Sequence, residues 1–521
     1  MQQYLWNASA RRLTYGKRVG IKMWLATLVV MGLMAFTQTA FAALLLTFDQ
    51  SAYPGDVWLQ VQGPSSIFSA TYGGTAITFN GTNLMSVPVK VSDIMNAGGL
   101  NVTYSSGAFL FLFYDQPTDQ TDPPEPLNPA IPSYSQRWQG FELTMTGNSG
   151  DQGDLTAINS FTAPLSITSY ATDGTQLQQT GWGTATAAQI GQQLKQVAVF
   201  GGTASPVATD AQGRIYRYIG PSTFDPTNPQ YNPIPWPSFI PYIQSIPAGQ
   251  TTNISPNTQG FYFTADKSHV YQFGANMTAT AGADGSLTVS GSITGSVTNP
   301  ISGNPPIPDG GWPDVTLTFP ATDPQKLNFV IYGQADFPSP NQYVQISGTG
   351  WQSFLNFLST QYLYPSRPST SPTLAELPPA PDLNAPVAQT VYGNIIGEIT
   401  SGLLGGFYNS SVPSNYPPDN GAALKNVPSN HWWLQNPMVA YSQVQPNNPY
   451  YNVYANVIFN KSNNTVYGVP YSDRFNNGSN NPLVNSVSYG GKNVATWAIG
   501  IGAPLPHTVG GPGALLLLLL S

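Results

Sequence analysis

Glu142 lies in the run Trp138-Gln139-Gly140-Phe141-Glu142-Leu143-Thr144-Met145-Thr146, and its position in that run is what offers it a chemical role. On an extended chain Phe141, Leu143 and Met145 share one face, while Trp138, Gly140, Glu142 and Thr144 share the other. The apolar set belongs to a core. The carboxyl then projects onto a polar face beside an aromatic ring and small residues, as a strand lining a sugar cleft would arrange it. A solvated strand residue would show the same alternation, so the pattern leaves both readings open. Glycoside hydrolysis uses two carboxyl groups, about 6.5–9.5 Å apart when water attacks directly and about 5 Å apart when an enzyme carboxylate attacks. The following strand is predicted over residues 155–161, joined through a loop at 147–153. With the loop centred near residue 150, hairpin pairing puts Asn159 opposite Glu142. An amide does not accept a proton near neutral pH. The second carboxylate must then come from elsewhere, and Asp154, Asp151 and Asp473 are the candidates.

Other chemistries are poorly provided for. The 521 residues include no cysteine, which removes disulfides, thiolate metal sites and cysteine nucleophiles together. The three histidines, His269, His431 and His507, are far apart and lack metal-ligand spacing. No metal and no cofactor is expected. Charged residues make up 8% of the chain, against about a quarter in ordinary domains. Five of the 17 basic residues and none of the 24 acids precede residue 43, leaving 12 basic and 24 acidic side chains beyond it. An anionic surface repels phosphate backbones, so nucleic acid is a poor partner. Gly, Pro, Ser, Thr, Asn, Gln and Tyr dominate instead, and their polar groups hydrogen-bond hydroxyls without an ionic partner. A neutral polysaccharide suits such a surface, although a turn-rich, weakly charged surface is common among exported β proteins of any function.

The elements that must position these residues are mostly strands. Arg11, Arg12, Lys17, Arg18 and Lys22 precede an apolar run from Trp24 to Phe36 and then Ala40-Phe41-Ala42, the pattern of a signal peptide cleaved before Ala43. Residues 1–42 are read as that signal, which implies a secreted or periplasmic protein with no membrane span after its removal. Strand signals fill residues 43–180, read as the first part of a β-sandwich core. Helical spacing appears at 185–199, 351–362 and 393–404, so residues 181–427 are read as an inserted α/β subdomain. Residues 428–503 complete the sandwich, and 504–521, ending in six leucines, form a disordered tail. Between proline-rich loops the run Ser286-Leu287-Thr288-Val289-Ser290-Gly291-Ser292-Ile293 alternates as a strand should. A monomer is expected.

A resemblance to a known family rests on several of these residues in order. Phe141-Glu142-Leu143-Thr144 followed by Asp154-Leu155-Thr156-Ala157-Ile158-Asn159-Ser160-Phe161-Thr162-Ala163-Pro164 resembles the Glu-Phe-Thr strand and the Asn-x-Thr-x-Val-Asp-x-Phe-Gly-x-Pro segment of the family-64 glycoside hydrolases. These are β-1,3-glucanases related to thaumatin-like proteins. Trp236-Pro237-Ser238-Phe239-Ile240-Pro241-Tyr242-Ile243, Asn430-His431-Trp432-Trp433 and Tyr467-Gly468-Val469-Pro470-Tyr471-Ser472-Asp473 are similar to later segments of that family.

The resemblance implies a mainly β, thaumatin-like sandwich or barrel core with an inserted α/β subdomain across a wide cleft, and an inverting β-1,3-glucanase. Glu142 would be the general acid. Asn159 would stand where the family carries its general base, and Asp473 would line the acidic cleft. Trp138, Tyr467, Tyr471 and Asp154 are the further candidates for contact with sugar. The amide at 159 keeps a second reading open, a β-glucan-binding protein of little or no catalytic activity on the same scaffold. An exported structural protein sharing only the fold is the third.

Overall fold

The structure, a computed structural model, describes most residues between 43 and 362 together with 391, 395, 452–468 and 484–506. The signal region, all of the helix read at 393–404 except residue 395, the segment 469–483 holding Tyr471 and Asp473, all three histidines, and residues 507–521 lie outside the described residues.

The chain is mainly β, and its largest sheet nearly closes on itself. Nine of its strands matter for the site: β1 (Leu44–Asp49), β2 (Trp58–Gln62), β3 (Leu100–Phe113), β4 (Trp138–Met145), β5 (Gln152–Thr156), β6 (Leu165–Ala171), β7 (Gln176–Gly181), β8 (Val484–Ser486) and β9 (Lys492–Ile501). Their order is β7-β6-β9-β1-β3-β4-β5-β8, with β2 paired to β3. The last strand, β9, is inserted between early ones, parallel to β1 and antiparallel to β6. The path ends come together where Asn485 Nδ2 donates to Thr180 Oγ1 and the Ser486 amide donates to Gln178 Oε1 at 3.0 Å. Closing a sheet in this way satisfies strand edges that would otherwise be left open.

Alternation explains which residues fill the interior. Leu44, Leu46 and Phe48 of β1, Leu110 and Leu112 of β3, Phe141, Leu143 and Met145 of β4, and Trp497, Ile499 and Ile501 of β9 are all buried. Each such side chain stabilises the fold by about 1.5–3 kcal/mol relative to exposure. Phe111, Phe113 and Trp138 point to the opposite face and form a separate small cluster with Met85.

A second sheet contains the strands Thr251–Ile254, Val270–Ala281, Leu287–Thr298, Trp312–Phe319 and Gln345–Ser347. The alternating run from Ser286 thus becomes a strand of 12 residues. Among the described residues three helices are longer than one or two turns: α1 (Ala187–Val197), α2 (Thr349–Tyr362) and α3 (Val453–Lys461). The first starts at a capping box in which the Gln189 amide donates to Thr186 Oγ1 and the Thr186 amide donates to Gln189 Oε1. Asp314 accepts from the Thr349 amide at 2.8 Å and from its hydroxyl at 2.7 Å, tying the start of α2 to the second sheet. Helical periodicity does not reveal α3. Its residues are buried nearly all round, so no polar face alternates with an apolar one. The local signal is the cap, where Asn452 Oδ1 accepts from the Ala455 amide at 3.0 Å.

Candidate functional site

The pairing between β4 and β5 differs from the one expected from the loop. Glu142 stands directly opposite Asp154, and Gly140 opposite Thr156. Asn159 is not in the hairpin at all. It is an exposed residue between β5 and the short strand Ser160–Phe161, which belongs to another sheet. Its main-chain carbonyl accepts from the Gly220 amide and from Thr223 Oγ1, both at 2.8 Å. The expected Glu142–Asn159 opposition is therefore corrected to Glu142–Asp154.

The cause is the turn. Gln152 and Gly153, read as loop, are strand residues, and the pairing of Glu142 with Asp154 sets the midpoint of the hairpin earlier in the chain than expected. Asp151, 4% exposed, closes the turn. Its carboxylate accepts from the Thr146 and Gly147 amides, both at 2.6 Å, and from Thr146 Oγ1 at 2.8 Å. Gly153 is needed in the strand because a Cβ there would lie 2.4 Å from the Glu142 carbonyl and 2.7 Å from the Trp497 ring. Two carboxylates consequently face each other across one strand pair, where Cβ atoms lie about 4.5–5.5 Å apart. Asp151, another candidate for the second carboxylate, is engaged in the turn.

The face that carries Glu142 continues onto β3, where Phe109 is its cross-strand neighbour and Phe111 is opposite Gly140. Gly140 has a spatial reason. A Cβ would approach the Phe109 ring to 2.3 Å and the Leu110 carbonyl to 2.7 Å. The missing side chain lets the ring of Phe109 lie across β4 next to Glu142, with Phe111 4.5 Å from it between centroids. Sequence reasoning missed this aromatic pair, although the alternation in Phe109-Leu110-Phe111-Leu112-Phe113 marks it.

Trp138 and Tyr467 are placed differently from an open sugar platform. Trp138 is 6% exposed. Its ring meets Phe111 edge-on at 5.5 Å, lies 4.8 Å from the Arg217 guanidinium, and donates from Nε1 to the Ser133 carbonyl at 3.2 Å. It lies on the same face of β4 as Glu142, two positions beyond Gly140, within the Phe111 and Phe113 cluster. Arg217 is fully buried, and desolvation lowers its pKa to about 9. Tyr467, 2% exposed, extends the sheet beside β5: its amide donates to the Leu155 carbonyl and its carbonyl accepts from the Ala157 amide, both at 2.9 Å. Neither ring presents a face to solvent. Among the described residues no group of three His, Cys, Asp or Glu side chains is arranged to hold a metal ion, and no helix is long and apolar enough to cross a membrane.

No known family profile matches the sequence, and no curated protein matches it. Among solved structures the chain is similar to a laminaripentaose-producing β-1,3-glucanase in complex with laminaritetraose, at 13% identity and a TM-score of 0.45, covering 89% of this chain and 99% of that one. It is also similar to a β-1,3-glucanase domain (GH64) from Clostridium beijerinckii, at 13% identity and a TM-score of 0.42 with the same coverage. A third likeness is to the GH family 64 laminaripentaose-producing β-1,3-glucanase from Paenibacillus barengoltzii complexed with laminarihexaose, at 12% identity and a TM-score of 0.36, covering 88% of this chain and 75% of that one.

Proposed function

We propose that the protein is an exported glycoside hydrolase acting on a neutral, laminarin-like β-1,3-glucan, with Glu142 as general acid and Asp154 as general base. The observation that carries the reading is the direct opposition of Glu142 and Asp154 on one sheet face. The resemblance of the surrounding segments to family-64 enzymes supports the substrate class. Glu142 protonates the glycosidic oxygen as its bond to the anomeric carbon breaks. Asp154 takes a proton from the water that attacks that carbon from the other side, and the cycle closes when Asp154 returns that proton to solvent and Glu142 takes one up. The glutamate is one methylene longer than the aspartate, so from opposed Cβ atoms the carboxyl groups can diverge to the roughly 6.5–9.5 Å that an intervening water requires. Phe109 offers an apolar surface at the same site. Asp473 and Tyr471 belong to this reading as further cleft residues, and the protein acts as a monomer. The binding-only alternative arose from the amide at 159, and a carboxylate at 154 supplies the group whose loss motivated it.

The test is the anomeric configuration of the first product released from laminarin, followed by proton NMR before mutarotation. Inversion is expected. Retention would make Asp154 a nucleophile and overturn its role as base, and no cleavage of any β-glucan would overturn the hydrolase reading.

A further inference from the structure

The second sheet has one covered face and one that reaches solvent, on which Ser290 is exposed and Thr278, Thr280, Thr288, Thr316 and Thr318 are half-buried. Phe354 and Phe357 of α2 pack on Phe273 and Trp312 across the apolar side. The open side carries side chains in register across three strands. Thr280, Thr288 and Thr318 form one cross-strand row, and Thr278, Ser290 and Thr316 form the next. Adjacent strands lie about 4.7–4.9 Å apart, and successive rows about 6.8 Å. Two of these strands are 12 residues long, about 40 Å at 3.4 Å per residue, and beyond the two three-strand rows they continue the polar pairing as Asn276 with Ser292 and Gln272 with Ser296, a length sufficient for several units of a polymer. Among the described side chains of these strands that alternate with the buried ones, the one charged group is Asp314, at the end of the Trp312–Phe319 strand, and its carboxylate is taken up by the Thr349 amide and hydroxyl. The Thr and Ser rows themselves carry no charge, whereas about a quarter of the residues of an ordinary domain are charged.

We infer that this open face is an accessory binding surface for a neutral polysaccharide, separate from Glu142 and Asp154. A hydroxyl is both donor and acceptor, so regular rows of Thr and Ser match a polymer whose own groups are hydroxyls. Along the Thr and Ser rows neither partner has an ion to desolvate on contact, and a nucleic acid or other polyanion would meet no cation among the described residues of this face. The inference rests on the proposed function for the identity of the polymer, a β-glucan. The surface would hold the protein on insoluble substrate while the carboxylate pair cuts.

The experiment is sedimentation of the purified protein with insoluble β-1,3-glucan particles, comparing wild type with Ser290→Glu and, independently, Thr318→Lys. Thermal melting and near-UV circular dichroism check that each variant is folded. Each introduced charge must be desolvated against the polymer, so retention should weaken about tenfold. Equal retention of the folded variants would overturn the inference, as would wild-type protein that stays in solution. Sedimentation velocity covers the other occupant. A variant that changes only self-association would assign the face to a second copy of this chain and overturn the glucan surface. Turnover of soluble laminarin by the wild type is measured separately. No turnover together with retention that depends on Ser290 would remove the hydrolase reading and leave this one standing.

Discussion

Glu142 and Asp154 carry the chemistry, so single substitutions should separate their roles. Glu142→Gln keeps the shape and loses the transferable proton, and cleavage of laminarin should fall to background in a reducing-end assay while binding persists. Asp154→Asn should lower turnover by about 10² to 10⁴-fold, the usual contribution of a positioned base. Asn159→Asp should change turnover little, because residue 159 is exposed and held by its backbone, away from the strand pair. A gain in rate on Asn159→Asp would reinstate 159 as the place of the base. Gly140→Ala should cost about 1–3 kcal/mol in urea unfolding, since the added methyl group meets both a ring and a main-chain carbonyl.

The hairpin of β4 and β5 decides which side chains meet, and its turn sets the register. Asp151 is the clamp of that turn, with three accepted hydrogen bonds. Removing the carboxylate in Asp151→Ala leaves those donors without it, a loss of about 1–3 kcal/mol. A shift of one residue in pairing would also turn Asp154 to the other face. Asp151→Ala is therefore expected to lower both the unfolding midpoint and the turnover number, whereas Asp154→Asn should lower turnover with a smaller effect on stability. Equal effects of the two variants on both quantities would count against a separate role for the turn.

Stability of the whole chain should fail at high pH. Burial pushes the phenols of Tyr114, Tyr332 and Tyr454 well above their ordinary value near 10. These groups stay protonated in the folded protein and ionise in the unfolded chain, so the folded state binds more protons and stability falls as pH rises past 10. Each such group removes about 1.4 kcal/mol per pH unit while the difference lasts. Arg217, lowered to about 9 by desolvation, has the opposite sign: its burial cost is present below pH 9 and is relieved above it. Three phenols outweigh one guanidinium, so net loss is expected. Absorbance at 295 nm should rise together with unfolding by circular dichroism, and full phenol ionisation in a folded protein would contradict the assignment. Because the chain contains no cysteine, reductant should leave the melting temperature unchanged.

Much of this was legible in the order of residues. Alternation placed Phe141, Leu143 and Met145 inside and Glu142 outside, because the period of a strand is a local property. Helical spacing found α1 and α2 for the same reason. The pairing of Glu142 with Asp154 was not legible in this way, since it depends on where one turn closes. That point is set by the Asp151 clamp and by the space Trp497 leaves at Gly153, a contact between residues 344 positions apart in the chain. The insertion of β9 between β1 and β6 and the all-round burial of α3 are likewise products of long-range packing. Local periodicity says which way a side chain points, and only the closed sheet decides what it points at.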